Sequence, residues 1–135
     1  MTANSQDAFN ESLPSRNVYG EQIATCGTPP VTGFYRDGCC NTGYEDQGIH
    51  TVCAKVTEPF LEYSRAQGND LMTPNPIMGF QGLKPGDHWC LCAGRWLEAH
   101  KAGRAPGIFL RATHEETLTI IPLDILEGYA LDHSS

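Results

Sequence analysis

The 135 residues carry nine Lys and Arg against sixteen Asp and Glu, a formal net charge of −7, and 40% of them are hydrophobic. That apolar share belongs to a packed chain rather than a disordered one, and the length suits one hydrophobic core. Scattered cations provide no footprint for a nucleic-acid backbone, and no run approaches the ~20 apolar residues of a membrane span, so neither nucleic acid nor membrane is an expected partner.

Residues 1–16 are polar and aperiodic and contain neither a basic lead nor an apolar run, so they read as a disordered tail rather than a secretory signal. The domain is expected over 17–132, with a short tail at 133–135. The expected location is cytoplasmic. Thiols stay reduced there, so the six cysteines are expected as metal ligands, reactive groups or buried thiols rather than as a disulfide framework.

Glycine- and proline-rich stretches at about 27–49, 72–87 and 103–107 break the chain, and no repeat is visible. His50 to Val56 alternates as a strand, with Val52, Ala54 and Val56 on one face and Cys53 on the other. Thr57 can cap a helix over 58–67 that holds Pro59 in its first turn and stops at Gly68. A second helix is predicted over 88–101, opened by Asp87 and closed by Gly103, with Trp89, Cys92, Trp96 and Leu97 on its apolar half and His100 packed among them. Ile108 to Arg111 and Thr117 to Ile121 read as strands, and Leu123, Leu126 and Ala130 mark a last short helix. The mixture lacks a βαβ rhythm, which points to an α+β fold: a small mixed or antiparallel sheet covered by two or three helices, with long ordered loops.

The densest chemistry lies in Gly33-Phe-Tyr-Arg-Asp-Gly-Cys-Cys-Asn-Thr-Gly43, where Cys39 and Cys40 stand beside Arg36, Asp37 and Asn41 on a glycine-bracketed loop. Zinc sites are usually announced by CxxC or HxxxH pairs, whose spacing lets two side chains reach one ion. Neither is present, and Cys90-Leu91-Cys92 would chelate only from a strand or loop, because on a helix its thiols diverge. A metal site would therefore draw single ligands from separate segments, with Cys39, Cys40, Cys53 and His50 as candidates and zinc as the candidate ion. For a nucleophilic thiol, Arg36 could lower the pKa of Cys39 or Cys40, with His50 or His114 as base. The arginine that a cysteine-phosphatase loop needs six residues on is missing, and so is the thioredoxin CxxC. His114-Glu115-Glu116 lacks the second histidine of a zincin helix. Thr113 with Glu116 instead fits a capping box, and Glu45-Asp46 and Asp87-His88 read as turn formers or solvated charges.

The motifs Gly33 to Gly43, His50-Thr-Val-Cys-Ala54, Gly68-Asn-Asp-Leu71, Gly82-Leu-Lys-Pro-Gly-Asp-His-Trp-Cys-Leu-Cys-Ala93 and Ala112-Thr-His-Glu115 resemble the small, mainly bacterial family called domain of unknown function 2237. The likeness covers about 17 to 132. It implies a small bacterial protein whose hallmark motifs are these cysteine loops, and it implies no substrate, reaction or cofactor.

The leading expectation is a binding module whose thiol-lined polar pocket, around Arg36, Asp37, Cys39, Cys40, His50 and Cys53, takes a metal ion or a small polar molecule. The alternatives are a thiol-dependent enzyme using Cys39 or Cys40, and a structural domain with inert buried thiols.

Overall fold

The alternation after His50 becomes strand β1, His50–Lys55, in the computed structural model, which describes residues 15–132. Its partner is β2, His88–Cys92, and together they form a two-stranded antiparallel sheet. In this ladder His50 pairs with Cys92, Cys53 with Cys90 and Lys55 with His88, and a bulge lies between His50 and Val52. Helix α1, Glu58–Ala66, begins as the sequence predicts: Thr57 Oγ1 accepts from the amide of Phe60, Pro59 occupies the first turn, and Phe60 and Leu61 are buried.

Between His88 and Lys101 the structure departs from the expectation of one helix. The first five residues are β2, and only Ala93–Lys101 are helical, as α2. Trp89, Cys90 and Leu91 are all buried. A strand covered on both faces carries no period-two signal, so the helical period of α2 reads back through it. Trp96 anchors α2 in the core and donates its indole N–H to Pro106 O at 3.1 Å. His100 is a packing residue: it stacks on Trp96, and its Nδ1 lies 2.8 Å from Tyr129 Oη.

The two strands expected over 108–111 and 117–121 are absent. Leu110–Ala112 and Glu115–Thr119 are 3₁₀ turns, and Ile108 makes isolated bridges to Ala54 and Ala130. The carboxylate of Asp132 holds the first of these turns by accepting from the amides of Leu110 and Arg111 at 2.8 and 3.0 Å. The capping residue of the second is His114, whose Nδ1 accepts from the amide of Glu116, while Thr113 Oγ1 is engaged with Phe109 O and the amide of Cys53. Helix α3, Leu123–Glu127, closes the order and buries Leu126.

The described residues form an α+β arrangement: a two-stranded antiparallel sheet with three helices over a core that includes Val52, Phe60, Leu61, Trp96, Ile121 and Leu126. Among the described residues no helix is long and apolar enough to cross a membrane. Of the tails expected at 1–16 and 133–135, residues 1–14 and 133–135 lie outside the described residues, while Arg16 makes an isolated bridge to Gln22.

A smaller buried cluster joins Cys26, Cys40, Cys53, Cys90 and Ala112, flanked by Ile23 and Phe109. Here the expectation of free thiols is corrected. Cys26 is bonded to Cys53 and Cys40 to Cys90, leaving Cys39 and Cys92 free. The ladder sets Cys53 and Cys90 side by side, and the segment 26–40 folds back over them. That segment is closed by the amides of Cys26 and Gly27, both donating to Gly38 O.

Candidate active site

The bulge at the start of β1 builds a site from three segments. Asp46 closes a turn in which its own amide donates to Gly43 O and the amide of Ile49 donates back to Asp46 O. Ile49 then adopts φ +51°, an uncommon conformation for a β-branched residue, and its carbonyl accepts from the amide of Ala93. This turn aims His50 across the ladder at its register partner, Cys92.

The Asp46 carboxylate is fully enclosed. Its Oδ1 lies 2.6 Å from His50 Nδ1, and its Oδ2 accepts from the His50 amide at 2.8 Å and the Thr42 hydroxyl at 3.0 Å. The other imidazole nitrogen, Nε2, lies 3.3 Å from Cys92 Sγ. Cys92, His50 and Asp46 thus form one continuous chain of hydrogen-bonding side chains. Cys92 is also the N-cap residue of α2, so its sulfur sits at the positive end of a nine-residue helix dipole. Its own side chain makes no capping bond.

The electrostatics follow from these contacts. The hydrogen bond to Cys92 raises the His50 pKa to about 9; burial opposes this, and the bonds and charge of Asp46 reinforce it. Burial alone would raise the Asp46 carboxyl, but the hydrogen bonds from His50 and Thr42 prevail and hold it below its ordinary range. The pair is therefore set as carboxylate and imidazolium, with Nδ1–H donating to Asp46 and Nε2–H to the sulfur.

Space around the dyad is limited by Gly48, where a Cβ would lie 2.8 Å from His50 Cε1 and 3.0 Å from Cys92 Sγ. Phe34 stacks on the His50 ring with centroids 5.9 Å apart. Beyond them opens a cleft of about 520 Å³, walled by Phe34, Arg36, His50, Asp70, Phe80 and Trp89. The glycine-rich stretches around 33–49 and 72–87 face each other across it. A second cleft of about 480 Å³, lined by Thr42, Asp46, Ile49, His114 and Glu116, lies behind Asp46.

Of the residues singled out from sequence, His50 is at this centre and most others are elsewhere. The Arg36 guanidinium lies 5.1 Å above the Trp89 ring and donates to Gly33 O rather than serving a thiol. Burial pushes the Cys39 thiol upward and Asp37 adds to the effect, against a smaller opposing bond to Thr25. Asp37 is occupied in holding the loop: it accepts from the Cys39 amide and from Asn41 Nδ2. The Asn41 Oδ1 is buried without a hydrogen-bond partner. Cys40 and Cys53 are tied into disulfides, and His114, whose pKa is lowered by burial, caps its 3₁₀ turn. Cys39, Cys40, Cys53 and His50 therefore do not form one four-ligand set. The sulfurs that do converge are those of Cys26, Cys40 and Cys90, all within 4.8 Å of one another, a spacing at which one metal ion could reach them.

Sequence reasoning missed Asp46, read as a turn former, and Cys92, read as a residue on a helix face. The available signal was Asp46-x-x-x-His50 on a tight turn, together with Cys92 at the end of the apolar run Trp89-Cys-Leu-Cys92 that leads into a helix.

No curated protein matches this chain. A family model described as "Uncharacterized protein conserved in bacteria (DUF2237)" matches residues 16–130, so the motifs that build both the Cys92 site and the sulfur cluster lie within the matched span, and the chain belongs to that family.

Proposed function

We propose that the protein is a thiol-dependent enzyme in which Cys92 is the nucleophile, His50 the proton carrier and Asp46 the group that orients His50. The observation that carries this reading is the unbroken contact from the enclosed Asp46 carboxylate through His50 to Cys92 Sγ, at 2.6 and 3.3 Å. A nucleophile within reach of a base that is itself held by a third group is the arrangement used by cysteine acyl-transfer enzymes. In that chemistry the Cys92 sulfur attacks a carbonyl carbon and the leaving group departs with the proton from His50 Nε2. Water or a second acceptor then gives its proton back to His50 as it displaces the thioester. The cleft beside His50 has the size of a small-molecule site and would hold the acyl portion. A cytoplasmic setting suits this reading, because a reducing compartment keeps Cys92 a free thiol.

The Asp46–His50–Cys92 contact favours an enzyme over a passive thiol-lined pocket, with its nucleophile at the β2–α2 junction rather than on the Cys39-Cys40 loop. The test is iodoacetamide alkylation across pH, with the modified residue identified by mass. Cys92 should react at least tenfold faster than Cys39 at pH 7, and His50→Gln should remove most of that advantage. A panel of activated esters and thioesters should leave an acyl adduct on Cys92 that is absent from Cys92→Ser. Equal reactivity of the two thiols, or turnover that survives Cys92→Ser, would overturn the assignment.

A further inference from the structure

Four of the other five cysteines, Cys26, Cys40, Cys53 and Cys90, are joined in two disulfides that meet in one buried cluster. Cys53 and Cys90 are direct partners across the β1–β2 ladder, yet neither is bonded to the other. Each reaches instead to the segment 26–40 that crosses over them, Cys53 to Cys26 and Cys90 to Cys40, with Cα separations of 5.7 and 5.3 Å. Two sulfurs from a rigid ladder and two from a self-closed loop thus meet in one place. The Sγ atoms of Cys26, Cys40 and Cys90 are mutually within 4.8 Å, and that of Cys53 is bonded to one of them. All four residues are 4% exposed or less.

A tetrahedral zinc ion with Zn–S bonds near 2.3 Å spaces its sulfurs about 3.8 Å apart. Opening the two S–S bonds lets each pair spread toward that distance without moving the ladder, because the loop half of each pair is the half that can shift. Among the described residues the ligand atoms that converge here are sulfurs, those of Cys26, Cys40 and Cys90, while the nearby His88 ring packs on Phe109 with its Nδ1 2.8 Å from the Cys26 carbonyl. The donor set on offer is therefore sulfur only, the set that structural zinc sites use.

We propose that Cys26, Cys40, Cys53 and Cys90 form a redox-gated zinc site, disulfide-bonded when oxidised and, once reduced by a dithiol, the four thiolate ligands of one buried zinc ion. The balance is simple. Each disulfide takes two electrons and two protons from one dithiol, which closes to its own disulfide. Zinc then displaces one proton from each of the four thiols. The ion replaces the two covalent links by one tetrahedral link among the same three segments, so the β1–β2 floor beneath the Cys92 site stays anchored in either redox state. A reducing compartment would favour the zinc form and an oxidising one the disulfide form.

The experiment uses the full chain and zinc itself as the probe. Protein is purified oxidised, one half is reduced anaerobically with dithiothreitol, and both halves are incubated with zinc, desalted and assayed for metal and for thiols open to alkylation. The proposal expects about one zinc per chain in the reduced half and none above background in the oxidised half. Zinc should protect Cys26, Cys40, Cys53 and Cys90 from alkylation while Cys39 and Cys92 still react. Cobalt(II) in place of zinc should give the intense sulfur-to-metal charge-transfer absorption of a four-thiolate site, which reads the ligand set in the wild-type chain without any variant. Equal zinc in both halves would overturn the site, as would cobalt spectra with fewer than four thiolates. Loss of the metal in Cys92→Ala would also overturn it, by placing the ion at His50 and Cys92. Retention of zinc in Cys92→Ala supports it and leaves the nucleophile assignment to its own test.

Discussion

Gly48 stands directly over Cys92: a Cβ there would approach the thiol to 3.0 Å and the edge of the His50 ring to 2.8 Å. The His50 ring cannot swing away cheaply, since Asp46 and Cys92 hold its two nitrogens. Gly48→Ala is therefore expected to push the ring and the sulfur apart. Alkylation of Cys92 should slow at least fivefold, while overpacking destabilises the fold by about 1–3 kcal/mol. Urea unfolding alongside the alkylation rate checks both. Unchanged thiol reactivity in a folded Gly48→Ala protein would mean that the contact is not decisive.

The dyad also sets a pH dependence whose sign is fixed by the two shifts. The His50 pKa is raised from 6.5 to about 9, so its contribution to stability is fully present below pH 6.5 and is lost as pH climbs through 9. Asp46 is lowered from 3.8, so its contribution is present above that value and disappears as pH falls through its folded pKa. Both operate together between about pH 4 and 6.5. The His50 side chain is 35% exposed, and solvent screening reduces its share to about 1–2 kcal/mol. The difference in urea midpoint between wild type and His50→Gln should be largest near pH 6 and shrink by pH 10. A difference that grows with pH would contradict the imidazolium assignment.

The two disulfides close segments separated by 27 and 50 residues. Loop-closure entropy assigns such links about 3.5 and about 4 kcal/mol when each is taken alone. Cys26→Ser with Cys53→Ser should lower the stability of oxidised, metal-free protein by about 2–4 kcal/mol, and reduction of the wild type by more. Denaturant melts with and without reductant measure this. A reduced, metal-free chain as stable as the oxidised one would show that the crosslinks carry no part of the fold.

Local signals carried the parts of the fold that local physics decides. Alternation after His50 marked β1, and Thr57 with Pro59 marked the start of α1, because a cap and a first-turn proline act within a few residues. His88 to Cys92 failed for the opposite reason: its strand character comes from pairing with β1 more than thirty residues away, and burial on both faces erases the alternation. The site divides the same way. His50 was visible as a polar residue opening a strand. Asp46 looked like any acidic turn residue until the fold enclosed it, and Cys92 gained meaning only from the ladder register that sets it opposite His50. The disulfide pairing was equally invisible, since it depends on which loop sulfur lies over which strand.

Ile49 holds φ +51°, a conformation that costs a β-branched residue on the order of 1–2 kcal/mol, and it does so between Asp46 and His50 while its carbonyl anchors the first amide of α2. Glycine at this position would adopt the same φ without strain but would give up the packing of the Ile49 side chain against the core. Those terms oppose each other, so Ile49→Gly should change stability by no more than about 1 kcal/mol. Its effect on the site should be larger. Without a conformationally restricted residue next to it, His50 samples orientations in which Nε2 leaves Cys92 Sγ, and alkylation of Cys92 should fall severalfold at unchanged fold stability. If Ile49→Gly instead leaves the rate and pH profile of Cys92 alkylation as they are, the strained turn does not position the imidazole, and the alignment rests on the Asp46 hydrogen bonds alone.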